Sequence, residues 1–265
     1  MNLNYIKLGD NRQSFIILHG LFGNLDNWMT LGKRFSMHFS VYLVDARNHG
    51  RSPWHDRIDY PSMAQDIADF IRDKGLDKPH ILGHSMGGKT AMQLALNQPD
   101  IINKLIVVDI APDAYPVRHQ TIIEALKTVE QSNPSSRKEA EQILSRFIPE
   151  PPVIQFLAKN LYRTENGTYR WRFNLSAIDR YIVEISGPVS GKYIFDKPAL
   201  FIRGEFSDYI LPTHENNIKK FFPASKIVTI EKAGHWVHAE QPEIFFSNSD
   251  GIFAGKLIRQ AEENF

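Results

Sequence analysis

Apolar residues along this chain gather into short runs separated by stretches of helical spacing. Runs rich in β-branched and aromatic side chains recur at Ser14–Leu18, Val41–Val44, Pro79–Leu82, Lys104–Val108, Ala199–Ile202 and Lys226–Ile230. Their length and near-continuous apolarity suit strands buried on both faces. Between them, Asn24–Phe39, Pro61–Lys74, Lys89–Asn97, Pro212–Phe222 and Pro242–Gln260 show helical periodicity, with Pro61, Pro212 and Pro242 near the predicted helix starts. Strands alternating with helices predict an α/β protein whose parallel sheet is covered on both faces.

The alternation breaks between about Ala114 and Pro188, where strand-like runs vanish. Apolar positions there recur at helical spacing in Thr121–Val129, Lys138–Ile148, Val153–Tyr162 and Ser176–Ile185. The pattern predicts a core formed by residues 1–113 and 189–265 and a helical insertion at 114–188. Leaving the sheet after one strand and returning at the next, the insertion should sit over the carboxyl edge, where such sheets bind ligands. It reads as a lid.

At 265 residues, 42% hydrophobic and a net charge of +1, the chain can bury one large core. Lys and Arg are scattered without a basic stripe, which argues against nucleic acid as a partner. The absence of cysteine excludes disulfides, thiolate metal sites and a Cys nucleophile. The first residues lack a cationic lead followed by an apolar stretch, so the expected compartment is cytoplasmic, and the apolar run Phe15–Phe22 is too short to span a membrane. Asn166-Gly167-Thr168 matches a glycosylation sequon that carries no weight without a secretory route.

Chemistry concentrates at Gly83-His84-Ser85-Met86-Gly87-Gly88, between an apolar run and an amphipathic one. A serine at a sharp strand-to-helix turn needs a strained backbone and nearly side-chain-free neighbours two residues away on either side, as Gly83 and Gly87 are. Gly83 to Thr90 also spells GxxxxGKT, the phosphate-binding P-loop, and Leu105–Asp109 resembles the strand that ends in a magnesium-holding Asp. A serine nucleophile requires a base, an orienting acid and an anion receptor at neighbouring strand ends. His235 in Gly234-His235-Trp236 supplies the base. The backbone N–H groups of Leu21, in His19-Gly20-Leu21-Phe22-Gly23, and of Met86 supply the receptor. Asp109 and Asp208 both follow strands at this edge and either could serve as the acid, with Asp113 a third carboxylate past Pro112. His80/His84 and His235/His238 have no third ligand nearby, so no metal is expected.

Four motifs in this order, Leu18-His19-Gly20, Asp45-Ala46-Arg47-Asn48-His49-Gly50-Arg51-Ser52-Pro53, Gly83–Lys89 and Gly234-His235-Trp236, make the chain resemble the α/β-hydrolases over nearly its full length. Within them it is similar to the YbfF-type bacterial esterases. The resemblance implies a mostly parallel sheet of about eight strands with a cap inserted after the sixth. It implies a Ser85–His235–Asp109 triad, with Asp208 the alternative acid. The expected activity is serine carboxylesterase action on small to medium acyl esters through an acyl-enzyme, with no cofactor. Phe22, Trp236, Tyr115, Trp171 and Phe173 are the expected pocket walls. Arg118, His119, Arg170 and Arg172 motivate an acyl-CoA thioesterase alternative, and a P-loop nucleotide-binding protein or a non-catalytic ligand-binding hydrolase fold are the readings from other classes. The expected partner is a small ester or thioester.

Overall fold

A computed structural model describes residues 1–254. The strands are β1 (Tyr5–Leu8), β2 (Ser14–Leu18), β3 (Ser40–Val44), β4 (His80–His84), β5 (Leu105–Val108), β6 (Leu161–Arg163), β7 (Tyr169–Trp171), β8 (Ala199–Gly204) and β9 (Ser225–Ile230). Among the described residues seven of them form one sheet in the order β1-β3-β2-β4-β5-β8-β9. All neighbours run parallel except β1, which pairs antiparallel with β3. The expectation of about eight strands is corrected to seven, and the insertion follows the fifth strand rather than the sixth. A single antiparallel strand precedes β2, so the count before the insertion is one lower than the resemblance implies.

The helices are α1 (Met29–Phe35), α2 (Tyr60–Asp73), α3 (Met86–Asn97), α4 (Gln120–Ser132), α5 (Arg137–Leu144), α6 (Pro151–Ala158), α7 (Leu175–Arg180), α8 (Ile182–Ser186), α9 (Glu215–Phe221), α10 (Val237–Glu240) and α11 (Pro242–Ala254). Asp59 caps α2 by accepting the Ser62 N–H at 2.8 Å, with Pro61 in the first turn where its missing N–H is harmless. The predicted helix over 24–39 is shorter, a 3-10 turn at Leu25–Trp28 leading into α1. That predicted over 176–185 is broken at Tyr181 into α7 and α8. The end of the helix predicted to reach Gln260 lies outside the described residues.

Strand side chains alternate between two apolar clusters. Ile16, Leu18, Ile81, Leu105 and Val107 face α2 and α3, while Phe15, Ile17, Leu82, Ile106 and Val108 face the side of α1 and α11. The insertion holds α4 to α8, and it also contains the hairpin β6-β7, which the sequence reading did not foresee. Its buried Ile123, Leu126, Trp171 and Phe173 belong to the same cluster as α2 and α3, so cap and sheet share one continuous apolar interior. Among the described residues no helix is long and apolar enough to cross a membrane.

Candidate active site

β4 ends at His84 and α3 begins at Met86, which leaves Ser85 to make the whole turn at φ 52°, ψ −115°. A non-glycine residue is held there only when its surroundings over-determine the backbone, at a strain of order 1–3 kcal/mol. They do so here: the Ser85 N–H donates to Val108 O on β5 at 3.0 Å, and the Ser85 carbonyl accepts the Lys89 N–H at 2.9 Å. The two glycines are required by close approach. A Cβ on Gly83 would stand 2.2 Å from Gly87 O, and one on Gly87 would stand 2.6 Å from Leu18 O and His19 O.

His235 occupies the loop between β9 and α10. Its Nδ1 lies 2.7 Å from Asp109 Oδ2. Asp109 is the first residue past β5, fully buried, with φ 50°. Its Oδ1 accepts the Gly204 N–H at 3.1 Å, and its Oδ2 also accepts the Ser207 hydroxyl. An accepting carboxylate places the imidazole proton on Nδ1 and leaves the Nε2 lone pair free. The loop itself is pinned: Glu240 accepts the N–H groups of Gly234 at 2.7 Å and Trp236 at 3.3 Å, and His84 Nε2–H donates to His235 O at 2.9 Å. Tyr209 stacks on the His235 ring with centroids 4.1 Å apart and planes at 25°. Asp208 is exposed and pairs with Arg118 at 2.6 Å, while Asp113 accepts from Asn217 at 3.0 Å. Of the candidate acids, Asp109 alone meets the imidazole.

The loop after β2 is oriented by His19. Its Nε2 accepts the Ala46 N–H at 3.0 Å, which makes Nδ1 the donor to Gly20 O at 2.8 Å, and the Gly23 N–H bonds the same carbonyl at 2.9 Å. Since C=O and N–H of one peptide point in opposite directions, pinning Gly20 O turns the Leu21 N–H the other way. That N–H makes no hydrogen bond among the described residues. The Met86 N–H, first in α3, has no intrahelical acceptor. His49 supports the same loop, with Nε2 accepting the Phe22 N–H at 3.2 Å and Nδ1 donating to Arg47 O at 3.0 Å.

Ser85, His235, Leu21, Phe22 and Trp236 all border one cavity of about 490 Å³. The cap supplies its far wall through Ile122, Phe147, Val153, Phe156 and Leu157. None of these was singled out in the sequence, although Val153, Phe156 and Leu157 lie on one predicted helix. Two expected walls are corrected, while Tyr115 borders a smaller chamber beside Ser85 and Met86, its hydroxyl accepting the Ala111 N–H at 2.9 Å and donating to Tyr209 O. Trp171 is buried inside the cap with Nε1–H on Leu126 O at 3.1 Å, and Phe173 stacks between it and Phe22. Ser207, Tyr209 and His84 were not anticipated as supports of the centre. In the Gly204–Tyr209 loop the sequence signal is the carboxylate of Asp208, whereas the serine that donates to Asp109 and the tyrosine that stacks on His235 carry no signal of their own.

Burial holds the surrounding imidazoles neutral: His19 is pushed down to about 4, His49 and His238 to about 3, and His84 lies well below its ordinary value. Lys89 is also buried, which pushes it down to about 7, and its Nζ donates to Asp113 O at 2.7 Å and to Gly187 O, one carbonyl at each crossing between sheet and cap. This overturns the P-loop reading, because the lysine that would meet phosphate is committed to the cap and the turn closes on itself at Gly83–Gly87. Of the arginines behind the thioesterase reading, Arg118 borders the cavity, whereas Arg170 and Arg172 do not. Arg118 is held by Asp208, Arg170 bonds Asn133 at 2.9 Å, and Arg172 lies 5.2 Å over Tyr162. Among the described residues no group of three or more His, Cys, Asp or Glu side chains could hold a metal.

The sequence profile described as "alpha/beta hydrolase fold" matches residues 13–147. The chain is similar to Esterase YbfF of Escherichia coli, 38% identical over 88% of this chain and 90% of the relative. It is 39% identical to the sn-1-specific diacylglycerol lipase ABHD11 of Mus musculus, over 88% of this chain and 78% of that one. Among solved structures, a marine microorganism esterase superposes with a TM-score of 0.92 at 44% identity, covering 94% of this chain and 98% of its own.

Proposed function

The chain is an ester-bond hydrolase of the α/β-hydrolase family, and from that premise we propose that it is a serine carboxylesterase acting on small to medium acyl esters through an acyl-enzyme. The reading is carried by one arrangement: Ser85 at its strained turn opens on the same cavity as His235, whose Nδ1 lies 2.7 Å from Asp109. Ser85 Oγ attacks the ester carbonyl as its proton passes to His235 Nε2. The tetrahedral oxyanion is received by the N–H groups of Leu21 and Met86, each worth about 3 kcal/mol in the transition state. His235 then protonates the departing alcohol, and the covalent acyl group stays on Ser85. In the second half a water molecule gives its proton to His235 and attacks the acyl carbonyl, and as the bond to Ser85 Oγ breaks His235 returns that proton to Ser85, releasing the acid. Asp109 keeps the imidazole in the useful tautomer, and no cofactor enters.

The mainly apolar cavity, about 490 Å³ and walled by Phe147, Val153 and Phe156, supports an acyl chain of modest length. Labelling by a fluorophosphonate, with the modified peptide identified by mass spectrometry, tests the nucleophile. Capture at Ser85, and hydrolysis of p-nitrophenyl acetate to octanoate by the wild type only, is the expected result. Turnover undiminished in Ser85→Ala would remove the reading.

A further inference from the structure

His119 immediately precedes α4, at the start of the cap, and its carbonyl accepts the Ile123 N–H at 2.9 Å. Its side chain borders the main cavity together with Ser85 and His235, and also a smaller chamber of about 30 Å³ shared with Leu21, Met86 and Ser85. A neutral imidazole results from burial and from the positive charge available at His235 and Arg118, which together push His119 down to about 4.

The other histidines around the centre have their ring nitrogens engaged or their faces packed. His19 and His49 each use both nitrogens, His84 bonds His235 O, and His238 lies flat on Trp28 with centroids 4.1 Å apart. His119 has neither. Its Nδ1 is buried without a hydrogen-bond partner, and its closest aromatic neighbour, Phe22, meets it edge-on at 6.3 Å. A buried orphan N–H is rarer in folded proteins than a buried orphan acceptor, so the proton belongs on Nε2. Nε2 is not among the buried, unpartnered atoms and makes no hydrogen bond within the described protein. It is therefore an unused donor on the cap side of a mostly apolar cavity.

Resting on the esterase reading, we propose that His119 Nε2–H donates a hydrogen bond to the substrate, and that the enzyme selects esters bearing a second oxygen function a few bonds from the scissile carbonyl. The scissile oxygen already has the N–H groups of Leu21 and Met86, so a third donor arriving from the cap addresses another acceptor: a hydroxyl, ether or carbonyl oxygen. Hydrocarbon walls recognise a chain by size alone, whereas a donor facing the cavity discriminates by chemistry, since an analogue without the oxygen forgoes that hydrogen bond.

The test uses size-matched pairs: p-nitrophenyl methoxyacetate against p-nitrophenyl butyrate for the acyl side, and 2-hydroxyethyl butyrate against propyl butyrate for the alcohol side. Each kcat/KM is divided by the hydroxide-catalysed rate of the same ester. The wild type should prefer the oxygen-bearing member of at least one pair by about tenfold. His119→Leu should bring that ratio towards one, and His119→Gln, which keeps an N–H donor, should retain most of it. Melting temperatures establish that both variants are folded, and the wild-type ratio needs no variant. From pH 5.5 to 8 the ratio should stay constant while absolute rates change, because the donor remains neutral throughout. The absence of preference in both pairs, or an equal loss on both members of a pair in His119→Leu, would overturn the proposal. Failure of the esterase reading is distinct: no ester would be hydrolysed, or Ser85→Ala would remain active.

Discussion

The carboxyl edge of the sheet and the cap above it face the same cavity but are built on opposite terms. At the edge, polar atoms are heavily engaged: Asp109 accepts from Gly204, Ser207 and His235, and His19 and His49 use both ring nitrogens to hold the loop after β2. On the cap side the wall is largely hydrocarbon from Ile122, Phe147, Val153 and Phe156, with an unpaired imidazole at His119. Such a network of engaged polar atoms fixes a geometry to within about 0.5 Å, as proton transfer requires. An apolar wall fixes only a volume. On the proposed mechanism chemistry resides in the edge and choice of substrate in the cap, and variants of the two should fail differently.

The sharpest contrast comes from the nucleophile. Ser85→Ala should lower kcat by about a million-fold on every ester, leaving KM within a fewfold, because it removes the covalent step and leaves the cavity standing. A drop that depended on chain length would blur the division between the regions. Next in size is the acid. Asp109→Asn should reduce kcat about ten-thousand-fold by stabilising the wrong imidazole tautomer, whereas Asp208→Asn, an exposed residue paired with Arg118, should stay within about threefold. The reverse ranking would move the acid to the loop after β8.

How much of this was readable beforehand follows from what kind of constraint each part obeys. Ser85 is legible because backbone crowding at Gly83 and Gly87 admits few residue types, so geometry leaves its mark in the letters, and His235 because a histidine in Gly234-His235-Trp236 follows the last strand of the same edge. Asp109 and Asp208 were not separable, since both are carboxylates just past strands of one edge. The choice rests on the Asp109 backbone, at φ 50° with its N–H on Ile202 O at 2.8 Å, and no residue letter records that. β1 was missed because its edge position leaves Lys7 exposed and breaks the apolar run. The β6-β7 hairpin has a signal in Asn166-Gly167, where Gly167 takes φ 83°, but the same letters also spell a sequon, so the signal is ambiguous in sequence. The cap walls were illegible for a simpler reason: an apolar helix face does not say whether it meets the core or a cavity.

The edge has a liability that the cap largely lacks. His19, His49, His84 and His238 are neutral in the fold, at about 4, about 3, well below the ordinary value and about 3 respectively, against about 6.5 in an unfolded chain. Below pH 6.5 the unfolded chain binds protons that the native one does not, so stability falls with decreasing pH down to about pH 3–4. Each such group contributes up to about 1.4 kcal/mol of loss per pH unit. The melting temperature should drop by about 10 °C or more between pH 7 and 5, with little change between pH 7 and 8. His238→Phe, which keeps the ring on Trp28, should lessen that drop. A melting curve flat down to pH 5 would mean that these imidazoles are protonated in the fold.

The smallest expected effect bears most directly on the cap. Val153 and Phe156 lie on α6 and border the cavity, and Phe156 packs against Trp236 beside the catalytic loop at 5.7 Å. Val153→Trp would fill part of the space available to an acyl chain without touching any polar contact at the edge. If the wall sets chain length, kcat/KM for a p-nitrophenyl octanoate should fall at least about tenfold more than for the acetate, since one misplaced methylene in an apolar pocket is worth 10–200-fold. Because the edge is unaltered, fluorophosphonate labelling of Ser85 should proceed at a similar rate in the variant. Equal losses on octanoate and acetate would mean that the substituted wall disturbs the edge, and no loss on either would mean that the acyl chain lies elsewhere, along Asn27, Trp28 and His238 on the far side of the same cavity.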